Sequence, residues 1–408
     1  MRWALAFVCV LSIAGCRQLL GFDTPALGGD ARASGDGATD ALATSDVSAP
    51  CTSWQARHFD PCALPAPSAE LVLQGAWVFS TDTGELTSGA SIMHPAGTTL
   101  AQNGNSADKI YVMSIASLVI ENAATVQVIG SVPLVVASWS SIEIDGTIDA
   151  GGMQNQPGPG SNPMECESAA ARQGQTAAAS AGSGGGGGGA FQGSGGHAGT
   201  GDNPPVATGG AGGTSIAAPA FVRGGCSGAP SGQAGPGAMD PTAISSGGAG
   251  GGALELAART SIEVRGEVLA GGGGGGGAPL QSSCGGGGGG AGGYLGFDSP
   301  MLRFDSGALI AANGGGGGGG APFAAVGEPG QDGQASAMQA EGGAVSSCSE
   351  AGMLGGAGTT PNGASSSNPI EACGGAGGGG GVGYVLTWAS MMMTIGAVTV
   401  SPPALAGP

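Results

Sequence analysis

The feature that most limits what this chain can fold into is a strand-like segment that runs directly into glycine. Residues 261–277 read SIEVRGEVLAGGGGGGG: apolar and polar side chains alternate with the period of two typical of a β-strand, and seven glycines follow. Glycine loses the most backbone entropy on ordering and adds no apolar side chain, so such tracts build no core by themselves. The strands must therefore supply the scaffold that carries the glycine.

The same unit occurs earlier in the chain. Residues 134–152 (LVVASWSSIEIDGTIDAGG) align with residues 254–272 (LELAARTSIEVRGEVLAGG) at a constant offset of 120 residues, so that Ile142 falls on Ile262. No single unit can bury its own apolar face, but stacked units share one apolar column, as in a parallel β-solenoid. The pattern therefore predicts an all-β chain in which residues 109–408 form a parallel β-helix.

Further copies of the unit are less regular. Looser copies occupy residues 294–315 and 384–400, and residues 117–130 align with residues 133–146 at an offset of 16 residues. In the first looser copy, Leu309 takes the place of Val268. The outward residues Asp145, Arg265 and Asp305 fall in one column and alternate in sign, which suits stacked strands.

Glycine-rich insertions interrupt the units at residues 151–252, 271–293 and 313–383. All of them leave and re-enter at the same point of the unit, so we expect them on one side of the solenoid. Runs of glycine adopt a three-fold extended helix related to polyproline II, which predicts ordered strands of the polyglycine II type. The alternative is that the tracts are flexible linkers. Residues 51–108, which contain a strand–turn–strand pattern, are expected to cap the first apolar layer.

The N-terminus has the pattern of an export signal. Arg2 is followed by an eleven-residue apolar run, which is too short to span a bilayer but suits a signal peptide over residues 1–15. The run ends in IAGC, which resembles the bacterial lipobox and makes Cys16 the expected lipidation site. A plain secretory signal is the alternative. Residues 16–50 then provide the lipidated cysteine and a flexible acidic tether. The predicted location is the bacterial cell envelope, at the outer membrane or cell surface.

The remaining cysteines are disulfide candidates, because an exported chain folds where disulfides persist. They are Cys51, Cys62, Cys166, Cys226, Cys284, Cys348 and Cys373. Cys51 and Cys62 bracket a short segment and are expected to pair with each other, while the connectivity of the others stays open. The close Cys/His spacing of a zinc site is missing, so we expect no metal and no cofactor.

The charge of the chain excludes one class of partner. The formal net charge is −18 and Lys109 is the only lysine. A phosphate backbone would be repelled, so no nucleic-acid partner is expected. The glycine tracts also lack the Lys-Ser/Thr of a phosphate-binding loop. The expected partners are a membrane, through the lipid anchor, and extracellular glycan or envelope components.

The chain resembles the glycine-rich, signal-bearing lipoproteins of myxobacteria. The resemblance rests on IAGC with LLGFD soon after it, HFDPCALPAP, STDTG, ASWSSIEIDGTIDAGG, RGGCSG and the recurrent GGGGGGAGG. It covers nearly the whole chain after the tether. The resemblance implies an exported solenoid and no particular activity.

Three classes of function differ in the residues that they require. Parallel β-helices that cleave polysaccharides need converging carboxylates, and Asp145 with Glu143, or Asp305 with Arg303, would have to serve that role. We interpret these residues as a solvated face and predict no catalytic residues. The favoured function is a non-enzymatic envelope lipoprotein with a structural or adhesive role. A glycan-binding or polysaccharide-degrading β-helix protein is the alternative, and aromatic residues clustered near carboxylates on the outer face would favour glycan binding over a coat.

Overall fold

The computed structural model of the chain describes residues 51–102, 105–178, 182–201, 206–345, 351–366 and 374–408. Nearly all regular structure in these residues is β-strand, so the prediction of an all-β chain with parallel sheets is confirmed. The helical segments there are short 3₁₀ helices at Cys51–Ser53, Pro61–Ala63 and Met164–Glu167. The predicted signal peptide, the tether, Cys16, Cys348 and Cys373 lie outside the described residues.

The strands form three sheets. Sheet A contains, in spatial order, β21 (Leu405–Ala406), β18 (Tyr384–Trp388), β15 (Tyr294–Asp298), β12 (Ala253–Ala258), β9 (Leu134–Ser138), β6 (Asn105–Ile115) and β5 (Gly97–Gln102). Sheet B contains β1 (Leu71–Leu73), β7 (Leu118–Ile120), β10 (Ser141–Ile144), β13 (Ser261–Val264), β16 (Met301–Phe304) and β19 (Met391–Thr394). Sheet C contains β20 (Thr399–Ser401), β17 (Leu309–Ala311), β14 (Glu267–Leu269), β11 (Thr147–Asp149), β8 (Thr125–Ile129), β2 (Ala76–Ser80), β3 (Glu85–Ser88) and β4 (Ser91–Met93).

The chain visits the sheets in the order A, B, C and then returns to A beside its previous strand. We call one such passage a circuit; β6, β7 and β8 form one circuit, and β9, β10 and β11 form the next. Strands of successive circuits pair in parallel, as β10 does with β13. Each circuit therefore adds one strand to every sheet.

The register confirms the offset of 120 residues. Ile142 pairs with Ile262 and Ile148 pairs with Val268, although residues 151–252 separate the two circuits in sequence. Paired residues of parallel strands face the same side of the sheet, so these side chains stack in one column. All four are buried in the same apolar cluster.

Two of the sequence alignments are wrong. Leu118 pairs with Ile142 and not with Leu134, so the offset of 16 residues compared strands of different sheets. The period of two is the same in every strand, and a pattern of this kind cannot distinguish a neighbouring sheet from the next circuit. Where β14 pairs with β17, Val268 pairs with Ile310 and not with Leu309, because the bend after β16 is longer than the one after β13.

Parallel pairing begins earlier than residue 109. β1 pairs with β7, and β2 pairs with β8, so residues 71–80 already belong to the first circuit. The expected hairpin is formed by β2 and β3, and β4 pairs with β3 in turn. Leu86 of β3 is buried in the apolar cluster and covers its first layer.

Apolar side chains pack on both faces of sheet A. The inward faces of the three sheets share one cluster that includes Leu134, Ile142 and Ile148. A second cluster covers the outward face of sheet A and includes Trp54, Val135, Phe191 and Tyr294. Strands buried on both faces are the ordinary state of parallel sheets. Residues 51–65 and parts of the glycine-rich segments provide the outer cover.

The glycine-rich segments connect sheet C back to sheet A. They follow β11, β14 and β17. Much of the glycine in them is buried, including all of residues 285–293. A buried backbone N–H or C=O needs a hydrogen-bond partner, so these segments must bond to one another.

The hydrogen bonds of residues 285–293 repeat every third residue. The N–H groups of Gly286, Gly289 and Gly292 donate to Gly375, Gly378 and Gly381, those of Gly287, Gly290 and Gly293 donate to Gly276, Gly273 and Ala270, and those of Gly288 and Ala291 donate to Ala229 and Cys226. The carbonyl groups of the same segment accept from further segments, namely from Gly186, Gly189, Gly248, Gly251, Gly315 and Gly318. One extended segment is thus bonded to neighbours on every side.

The close approach of these backbones explains why side chains are missing. A methyl group on Gly275 would overlap the carbonyl oxygen of Gly287, and one on Gly290 would overlap that of Ala249. Backbone atoms cannot move aside as a flexible side chain can. Glycine is therefore required here for space rather than for turn formation.

Candidate functional site

The outward charged residues of sheet B form a ladder of ion pairs across three circuits. Arg265 contacts Asp145 at 2.6 Å, Glu263 at 2.7 Å and Asp305 at 3.5 Å. Arg303 contacts Asp305 at 2.8 Å and Glu263 at 3.4 Å. The hydrogen bond to Asp145 is the largest influence on the pKa of Arg265 and raises it. Carboxylates tied up in this way are poor candidates for proton transfer.

Among the described residues, the cysteines form two disulfides and leave one free thiol. Cys51 pairs with Cys62, as the short spacing predicts, and Cys166 pairs with Cys226. Cys284 was also a disulfide candidate, but it is a buried free thiol that donates to the carbonyl of Ala243. Burial raises the pKa of Cys284, so the thiol stays protonated.

The disulfide-bracketed residues 51–62 pack on the outward face of sheet A. Trp54 meets Phe59 edge-to-face at 5.5 Å and Trp139 at 5.4 Å between ring centroids. Both Trp54 and Phe59 are buried in the outer apolar cluster. The Cys51–Cys62 disulfide holds the two ends of this segment together, so its aromatic side chains act as one anchor.

A buried polar pair fastens the same segment to sheet A. His58 donates from Nδ1 to Glu255 Oε2 over 2.6 Å, and the Tyr294 hydroxyl donates to the same oxygen over 3.2 Å. Glu255 is fully buried, and its Oε1 has no hydrogen-bond partner among the residues that the structure describes. Removing one member of such a pair would leave a buried charge without compensation. The pair is therefore an attachment point rather than an open catalytic carboxylate.

Burial and charge shift the pKa values of this cluster. Burial of His58 alone would lower its pKa, but the hydrogen bond and negative charge of Glu255 outweigh it and raise the pKa of His58. Burial raises the pKa of Asp298 to about 6, and the charge of Glu255 adds to that effect, while the backbone N–H of Arg57 opposes it at 2.8 Å. Asp298 thus titrates near pH 6, and the pKa of His58 in the same region lies above its usual value.

An open groove lies beside this cluster, between residues 51–62 and the ends of β12, β15 and β18. It has a volume of about 680 Å³. Its lining residues include Trp54, Arg57, Arg259, Asp298 and Trp388. The groove crosses strands of three successive circuits, so it runs along the stacking direction. It brings the half-buried Trp388 ring, a carboxyl group and two guanidinium groups to one surface, beside the buried Trp54.

The sequence analysis did not identify the residues of this groove. The available signal was Glu255, an acidic residue in a strand that is apolar on both faces (LELAA), because such a residue needs a buried partner. His58 and Trp54 lie in the segment already noted between Cys51 and Cys62. The periodicity of the strands does not predict where this segment packs, so the groove could not be predicted from the sequence.

The described residues hold no group of three or more His, Cys, Asp or Glu side chains placed to bind a metal ion. Within the same residues, no helix has the length and apolar character needed to cross a bilayer. Comparison with known proteins finds no matching family model, no similar curated protein and no similar solved structure. The functional proposal therefore rests on the geometry of this chain.

Proposed function

We propose that the three parallel sheets are the faces of a parallel β-helix, with residues 71–406 forming its circuits. The in-register column Leu118, Ile142, Ile262 and Leu302 supports this architecture, since the chain returns to the same column after each circuit. The glycine-rich insertions are ordered in this proposal and pack as polyglycine II. Their three-residue hydrogen-bond period supports that interpretation over flexible linkers, because three residues per turn is the period of such helices.

The chain is proposed to be an exported envelope lipoprotein of the glycine-rich myxobacterial type, anchored through Cys16. The sequence IAGC after an apolar run carries this proposal. The disulfides Cys51–Cys62 and Cys166–Cys226 support an oxidising compartment, because such bonds are rare in reducing cytosol. The cell envelope is the location consistent with both features.

The function that the geometry favours is non-enzymatic adhesion through saccharide binding in the groove. One observation carries the proposal: the half-buried Trp388 lines the same groove as Asp298, Arg57 and Arg259 on the outward face, with the buried Trp54 beneath it. Aromatic rings offer flat apolar faces to sugar rings, while carboxylates and guanidinium groups bond to hydroxyl groups. A protein with only a coat role has no need to collect these side chains in one open groove.

Polysaccharide cleavage is the second candidate, and Asp298 favours it. A carboxyl group with a pKa of about 6 suits a general acid near neutral pH. A hydrolase also needs a second carboxylate facing the same bond. The nearest acidic neighbour of Asp298 on sheet A, Glu255, is buried and bonded to His58 and Tyr294. Binding without turnover is therefore the preferred function.

A glycan array combined with a polysaccharide-degradation screen tests both candidates. Residues 48–408 form one compact unit and are suitable for the assay. Saturable binding that is lost in Trp388→Ala and kept in Trp77→Ala supports the adhesive function, because Trp77 is a half-buried tryptophan outside the groove. Turnover that disappears in Asp298→Asn selects the enzyme instead. Absence of both binding and turnover across acidic and neutral polysaccharides contradicts the groove as a saccharide site.

A further inference from the structure

The two ends of the stack of circuits differ in how the apolar core is covered. At the first end, β3 and β4 form hairpins over the apolar layer, and Leu86 is only 1% exposed. At the other end, β19, β20 and β21 are the outermost strands of their sheets among the described residues. Edge strands of this kind present unpaired N–H and C=O groups to whatever lies beyond them.

At this end one position of the apolar column and several apolar side chains beside it are left uncovered. Met392 pairs with Leu302, which is fully buried in the apolar column, yet Met392 is 46% exposed. Met391 pairs with the outward-facing Met301 and is 56% exposed, and Ile395, in the bend after β19, is 47% exposed. Leu405 of β21 pairs with Leu386 of the outer apolar cluster and is 42% exposed. The last circuit therefore presents an apolar surface where the column of side chains stops. We call the surface formed by Met391, Met392, Ile395 and Leu405 the terminal face.

The terminal face is free of charge. Residues 372–408 contain no Asp, Glu, Lys, Arg or His, although the whole chain has a formal net charge of −18. Most surfaces of two copies would repel each other because both carry excess negative charge. This face brings two copies together without placing like charges in contact, and it offers no charged group to select an oppositely charged partner.

We propose that the terminal face is a homodimer interface, in which two copies pack end to end about a twofold axis. A twofold axis pairs a patch with itself, so β19 of one copy would lie antiparallel to β19 of the other. Met392 of each copy then fills the space below the last core layer of its partner. The apolar columns of the two copies become continuous, and the edge strands gain hydrogen-bond partners.

Sedimentation equilibrium of residues 48–408 tests the proposal. The unaltered protein is expected to dimerise, and Met392→Asp is expected to weaken dimerisation by at least about tenfold, because it brings two carboxylates into an apolar contact. Met239→Asp is the matched control, since Met239 is 73% exposed in a glycine-rich segment away from this face. At dilutions where the unaltered protein is monomeric, both variants should melt like it, as neither changed side chain is buried within one copy.

Salt provides a second readout. A charge-free interface between two acidic chains should tighten or stay constant as salt rises, because salt screens the remaining repulsion. Three results would overturn the proposal: a monomer at concentrations up to roughly 0.1 mM, equal weakening by Met392→Asp and Met239→Asp, or dissociation by high salt. A dimer that is disrupted by Met392→Asp alone and survives high salt supports it.

Discussion

His58 Nδ1 lies 2.6 Å from Glu255 Oε2, although 197 residues separate the two in sequence. The contact joins the disulfide-bracketed N-terminal segment to the middle strand of sheet A. Asp298 and Trp388 lie on the neighbouring strands β15 and β18 and line the adjoining groove. The wall of the groove therefore depends on a buried hydrogen bond that raises the pKa of its histidine donor.

The pH dependence of stability should reflect Asp298. Its pKa is raised to about 6 in the folded state, so the folded chain holds this proton more tightly than the unfolded chain, and stability falls as pH rises from about 4 through 6. Asp298→Asn mimics the protonated form. Its Tm should match that of the unaltered protein at pH 4 and exceed it at pH 7, by up to about 3 kcal/mol in free energy of unfolding.

His58 should also make the folded state less stable as pH rises, but in a higher pH range than Asp298. Its pKa is raised, so its stabilising effect is complete below about 6.5 and is lost as pH rises through the folded-state value. His58→Gln should flatten the dependence of stability on pH above pH 6.5 and leave the change that is due to Asp298 in place.

A stability difference between Asp298→Asn and the unaltered protein that does not change from pH 4 to pH 7 would contradict the burial of the Asp298 carboxyl group.

Loss of the Cys51–Cys62 disulfide should release the segment that forms one wall of the groove. Cross-links of short loops stabilise by about 3 kcal/mol, largely by restricting the unfolded chain. In Cys51→Ser/Cys62→Ser, trypsin should cut after the exposed Arg57 much faster than in the oxidised protein, and saccharide binding should weaken. Arg223 is the control site, because it is 4% exposed and should be cut at the same rate in both proteins.

Inward and outward positions of β13 should respond differently to substitution. Ile262 is fully buried, so Ile262→Asp places an unpaired charge in the apolar column and should cost several kcal/mol, about 4 or more. Glu263→Gln removes ion pairs with Arg265 and Arg303 on the surface and should cost at most about 1 kcal/mol. Urea denaturation that gives similar losses for both would mean that the assigned faces are wrong.

The seven glycines at residues 271–277 should not be equivalent. Gly275→Ala directs a methyl group into the carbonyl of Gly287 and should cost about 3 kcal/mol. Gly276→Ala meets the hydroxyl of Ser246 at 2.9 Å, and that side chain is able to rotate, so the cost should be clearly smaller. Equal and small effects on Tm would indicate that the segments are loose, as flexible linkers are.

Lipidation is tested separately from the fold. Metabolic labelling with a fatty-acid analogue should mark the full chain and should not mark Cys16→Ala. The unlabelled variant should be released from membranes, because a single signal segment without acyl chains gives no stable anchoring. Labelling of Cys16→Ala to the same extent would reject the lipobox interpretation.

The sequence predicted the fold best where the repeated strand pattern coincides with the stacking of successive circuits. The pairing of Ile142 with Ile262 followed from identical alternation at a fixed offset, because stacked circuits require the same side chain in the same place. The alignment at an offset of 16 residues was wrong, because the alternation of apolar and polar residues does not show which sheet a strand belongs to. The groove was missed for a different reason: His58 and Glu255 come together through the packing of a loop, which has no periodic signature. The ion pair between Asp145 and Arg265 could be predicted in part. The register aligns the two residues, and their opposite charges favour a contact.

The hydrogen-bond period of residues 285–293 constrains how such a chain is able to change length. Successive N–H groups point to three different neighbours in rotation, so inserting one residue would redirect every donor that follows it to the wrong neighbour. Inserting three residues would restore the rotation and add one repeat to the contact with each neighbour. Related chains should therefore differ in these tracts by multiples of three residues, and their length, rather than their side chains, would be the quantity that varies.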